Sequence, residues 1–155
     1  MAVGAASSAQ AVDAARDARE RRAECLIRLR TMSESGRGRD ALPALFADCA
    51  RDPALLRLHV WRVDQAIYGT ADIAAKRRVA RAAEWCGSRL ERPGSATLSW
   101  LLDARTDGAR LAAWLLAVAL DLGYTLPGPD PYRTHPATSL AAAVPSEHHT
   151  SHSNT

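Results

Sequence analysis

From Gln10 to Met32 the chain contains neither glycine nor proline, and it places Ala14, Ala18, Cys25, Leu26, Leu29 and Met32 at helical spacing. No other feature constrains the fold as strongly. Such a run holds no turn, and its apolar residues share one face only if the backbone is α-helical. Asp17 with Arg21 and Glu24 with Arg28 add favourable pairs one turn apart. Arg22 interrupts the apolar face, so the N-terminal half of this helix is expected to project beyond whatever its C-terminal half packs against. The remaining sequence follows the same chemistry. Alanine and leucine dominate and strand-favouring residues are sparse, which predicts an all-α fold, a long N-terminal helix followed by a compact bundle. The 155 residues suit one domain with tails.

The breaks divide the chain. Residues 1–9 are low in complexity and expected to be disordered, 10–39 form the long basic helix and a linker, 40–126 form the helical core, and 127–155 form a proline-rich, disordered tail. Within the linker Ser33–Arg39, Arg37 and Arg39 are free to meet phosphates. Asp40 is the expected N-cap of a helix over Ala41–Ala50 that buries Leu42, Leu45, Phe46 and Cys49. Asp52-Pro53 starts a third helix, with Leu55, Leu56, His59, Val60, Val63 and Ile67 on one stripe. His59 there reads as a core or interface residue rather than a ligand. The helix stops at Tyr68-Gly69, and Thr70 is expected to cap the next, Asp72–Cys86, which ends at Gly87. Ala75, Val79, Ala82, Ala83 and Cys86 face inward, leaving Lys76, Arg77, Arg78 and Arg81 as a positive outer surface. Ser95–Asp103 is expected to be a short helix burying Leu98, Leu101 and Leu102. After the Asp107-Gly108 turn, Ala109–Leu122 should be the most buried helix, through Leu111, Leu115, Val118 and Leu122.

Several function classes lack their residues. There is no GxSxG, P-loop or HExxH motif, so no enzyme is expected. Three cysteines without a CxxC pair indicate neither a disulfide framework nor a zinc cluster, and the tail histidines His148, His149 and His152 make a poor metal site. No cofactor, metal or small-molecule substrate is expected. No secretory signal and no membrane span are evident, which places the protein in the cytoplasm. Of twenty basic residues only Lys76 is lysine, and the positive charge is concentrated before residue 92, a hint of an anionic partner.

The glycine turn at Gly69 and Thr70 carries that hint furthest. A helix, a short glycine turn and a second helix can present backbone N–H groups and a positive helix N-terminus to one phosphate, with Lys76 and Arg77 a turn beyond to hold its neighbours.

Three stretches taken in order, Ala15–Arg30, Val63–Arg77 and Arg105–Leu115, resemble the actinobacterial integration host factor family of small nucleoid-associated proteins, as a divergent, phage- or mobile-element-encoded relative. The first is similar to that family's long basic helix. The second, ValAspGlnAlaIleTyrGlyThrAlaAspIleAlaAlaLysArg, is similar to its helix-hairpin-helix-like (helix-two-turn-helix-like) segment, and the third to its closing helix. The resemblance implies a nucleoid protein that contacts double-stranded DNA through its backbone, largely without sequence specificity, and bends or compacts it. By position, Gly69, Thr70 and Lys76 match the hairpin, and Arg105, Gly108 and Arg110 match a second contact. The hairpin's second glycine is Ala71 here, and its next basic position is Asp72.

The rival reading is a helical protein-interaction or regulatory module acting on a host DNA-binding or transcription partner. Four tryptophans are many for this length; Trp100 and Trp114 are expected in the core, and Trp61 and Trp85 suit either a core or an interface.

Overall fold

The computed structural model describes residues 3–125, so the expectations for the proline-rich tail and its histidines lie outside the described residues. The fold is all-α. Its helices are α1 (Val3–Glu34), α2 (Gly38–Arg51), α3 (Val60–Tyr68), α4 (Asp72–Trp85), α5 (Leu98–Leu101) and α6 (Ala109–Asp121), with short 3-10 turns at Pro53–Arg57, Pro93–Ser95 and Ala104–Thr106. Helix α1 takes in residues expected to be disordered; Ala5, Ala6 and Ala9 are strong helix formers that low complexity obscured. It stops where the Arg37 N–H bonds the Met32 carbonyl at 2.8 Å, so the linker shrinks to three residues and Gly38 and Arg39 enter α2.

Heptad-like spacing puts Cys25, Leu29 and Met32 of α1 into the core, against Ala41, Leu45 and Cys49 of α2. Leu42 and Phe46, expected in that face, are half-buried at its edge. Asp40 sits in the first turn of α2 rather than capping it. Burial pushes the Cys49 thiol up to about 11 and raises that of Cys25. The two helices are also joined at the surface by the Arg28–Asp48 ion pair.

The expected third helix is divided in two. Asp52 does start it, accepting from the Ala54 N–H at 3.0 Å, but only the 3-10 turn Pro53–Arg57 follows. Leu58 and His59 are then extended, and α3 begins at Val60. The cause lies far along the chain: the Val60 N–H bonds the Ala96 carbonyl at 3.0 Å and the Leu98 N–H bonds the Leu58 carbonyl at 2.8 Å, an antiparallel bridge between His59 and Thr97. That bridge buries Leu58 and carries Leu98 and Leu101 of α5 into the core.

Helices α3, α4 and α6 pack together around Val60, Val63, Val79 and Trp114. The face that α6 buries is rotated from the expected one. Trp114, Ala117 and Val118 are buried, Leu111 and Leu115 are half-buried, and Leu122 is 65% exposed. The rotation follows from Trp114, whose indole N–H reaches Asp64 at 3.2 Å in the centre of the bundle. A buried tryptophan needs such an acceptor, and meeting that need sets the helix face.

Candidate nucleic-acid interface

At the end of α3, Gly69 is left-handed (φ 65°, ψ 20°), and its N–H closes the helix on Gln65 at 3.0 Å. A Cβ there would meet nothing within 4 Å, so the demand for glycine is conformational and the outer side of the turn stays open. The chain then runs through Thr70 and Ala71 into α4, whose N-cap is Ala71. No side chain caps that helix end. Thr70, expected to do so, instead accepts a hydrogen bond from Arg78 Nη1 at 2.8 Å.

That bond belongs to a network centred on buried Arg78 and Asp64, which no local spacing in the sequence announces. Arg78, expected on the outer surface, is 5% exposed. Its guanidinium donates to Asp64 of α3 at 2.7 Å and to Asp121 of α6 at 2.9 Å, besides Thr70. Asp64 is completely buried and accepts from Trp114 through its other oxygen. Burial pushes the Asp121 carboxyl up, but the Arg78 hydrogen bond and the charges of Arg78, Arg81 and Arg77 outweigh it and leave the group below its ordinary value. The network fixes the hairpin to α4 and α6. Its one sequence signal is Asp64, a carboxylate set within the apolar stripe Val60, Val63 and Ile67.

The other cations of α4 stay near the surface. Lys76 pairs with Asp72 one turn back at 2.8 Å and lies 4.6 Å from the centre of the Trp61 ring. Trp61 is half-buried, its indole N–H bonded to the Gly94 carbonyl at 3.1 Å. A Cβ on Gly94 would approach Lys76 Cε to 3.2 Å, so the loop passes close against this stack. Arg62, exposed, sits 5.2 Å from the same ring. Arg77 is exposed and forms no ion pair among the described residues. Trp85, left open by the sequence, is half-buried beneath Arg81 at 6.0 Å.

The second expected contact has a different character. Gly108 is left-handed and starts α6, following Asp107, also left-handed. Arg105 is exposed, but Asp103 holds its guanidinium through three hydrogen bonds, of 2.7, 3.0 and 3.2 Å. Arg110 points inward, donating to the Trp100 carbonyl at 3.0 Å and to Ser88 at 3.3 Å, with its guanidinium 4.9 Å from the Trp100 ring. It also lies 3.5 Å from Asp103. The hydrogen bonds from Arg105, with the charges of both arginines, hold the Asp103 carboxyl down at about 2.

The structure does not bring the two expected contacts together. Gly69, Thr70, Lys76 and Arg77 gather at the start of α4, whereas Arg110 reaches Ser88 just beyond its end. Those ends are about 21 Å apart along the axis at 1.5 Å per residue. Among the described residues no group of three or more His, Cys, Asp or Glu could hold a metal ion, and no helix is long and apolar enough to cross a membrane. No family model matches the chain, and neither a curated protein nor a solved structure matches it.

Proposed function

We propose that the protein is a nucleoid-associated, integration-host-factor-like DNA-binding protein that holds the duplex by its backbone, largely without sequence specificity, and bends or compacts it. The observation that carries this reading is the group of cations at the hairpin that the fold leaves available. Arg77 and Arg62 are exposed and outside any ion pair among the described residues. Lys76 lies over the Trp61 ring, and its one ion pair among the described residues is an exposed pair one turn long, the kind worth little in water and open to exchange for a phosphate. The open side of Gly69 lets a phosphate approach the turn, and the contact is centred on Gly69, Lys76 and Arg77, with Arg62 added. Thr70 and Arg110 support structure in this reading, and Arg105 contributes only if it leaves Asp103. No cofactor or catalytic step is involved.

The test is duplex binding at two salt concentrations, with Lys76 and Arg77 changed together to glutamate. Backbone contacts release counterions, so affinity should fall steeply with salt, and the double variant should bind weakly with a shallower slope. Unchanged binding by the double variant overturns the site.

The groove between α1 and α3, with exposed Ile27 at its edge, favours a second reading, a helical interaction module acting on a DNA-binding or transcription partner. No duplex affinity even at low salt selects it.

A further inference from the structure

The stretch of α1 from Ala9 to Glu20 stands away from the bundle. From Ala9 to Glu20 every residue except Ala18 is exposed. The side-chain bonds that tie α1 to the 3-10 turn region begin only at Arg21, to Asp52, and Arg22, to Ala54. Three turns of helix standing alone in water are marginal, because their stability normally comes from packing one face.

Two large apolar side chains mark such a face. Val12 is 68% exposed and Ile27 is 65% exposed. They stand 15 residues apart, a little over four turns, which leaves them about 60° from each other around the axis and within one broad face. Ile27 borders a groove of about 700 Å³ between α1 and α3, where Leu26, Trp61 and Ala66 supply apolar surface. Arg19 and Glu20, both exposed, lie midway between Val12 and Ile27.

We propose that this face of α1 is the interface of a two-fold dimer, in which the projecting arm of one copy lies antiparallel along α1 of a second copy. A two-fold axis between Arg19 and Glu20 exchanges Val12 with Ile27 and Arg19 with Glu20. Apolar then meets apolar, and cation meets anion, each twice. This is the self-complementarity that an isologous interface requires, and it selects a second copy of this chain over an unrelated helix. Val12 of each arm closes the mouth of the other copy's groove.

Sedimentation equilibrium of the full chain tests this from micromolar to several hundred micromolar. The mass should rise from the 16.7 kDa of one chain toward twice that value. Val12→Glu and Ile27→Glu, both at exposed positions, should keep their helix content by circular dichroism and weaken self-association by about a hundredfold. Glu20→Arg should weaken it about fivefold, and Arg19→Glu combined with Glu20→Arg should restore it to within about twofold. A chain that stays monomeric throughout overturns the proposal. So does a dimer that both glutamate variants leave intact, or a charge exchange that fails to restore association. None of these readouts involves nucleic acid, so the outcome is separate from that of the proposed function.

Discussion

The hairpin at Gly69 and the turn at Gly108 present the same ingredients, a left-handed glycine, a helix start and nearby basic residues. They differ in where the carboxylates fall. At Gly108, Asp103 stands between Arg105 and Arg110 and binds both. Near Gly69, buried Asp64 and Asp121 at the end of α6 engage Arg78 and leave its neighbour Arg77 outside. A basic residue beside a glycine turn is therefore a poor indicator of an anion site by itself. The position of the nearest carboxylate decides whether the cation is held within the fold or offered to a partner.

The largest effect should come from the inward side of the hairpin. Asp64→Ala leaves Arg78 charged and buried, and should destabilise the protein by about 3–5 kcal/mol in urea unfolding. A small loss would mean that the pair is dispensable and that the hairpin is held some other way. Next comes the outward side: Lys76→Glu with Arg77→Glu should lower duplex affinity at low salt by about 10- to 100-fold, while Arg105→Glu changes it by no more than about twofold. Equal losses at both places would erase the distinction. Arg110→Ala should cost about 1–3 kcal/mol of stability through its lost hydrogen bonds, and leave duplex affinity nearly unchanged. Asp103→Asn releases Arg105 and should raise low-salt duplex affinity about two- to threefold, converting the second turn partway into the first.

The smallest effect is one of pH. Asp103 and Asp121 have folded-state values below their ordinary one, so the stabilisation they supply is complete above that value. It disappears as the pH falls through the folded value, which for Asp103 means between its ordinary 3.8 and about 2. Over that interval Asp103→Asn should lose less melting temperature than the parent protein.

The fold class was legible because helical periodicity is local, and α1, the inward residues of α4 and the stop at Gly69 all follow from spacings of three and four. What escaped depends on partners far along the chain. Leu58 and His59 leave the helix because Ala96 and Leu98 bond across to them, and nothing between Asp52 and Ile67 announces that. Arg78 looked like its neighbours because its partners lie on α3 and α6. The engagement of Arg105 is legible in the sequence, since Asp103 stands two residues away.

The burial of Cys25 and Cys49 between α1 and α2 has a practical consequence. With thiols pushed upward and shielded, neither presents a thiolate to a modifying reagent while the helices stay together. Half-buried Cys86 sits elsewhere, beyond α4. The protein thus carries its own clock. The rate at which Cys25 and Cys49 react times the lifting of the long helix from its neighbour, and Cys86 serves as the internal standard.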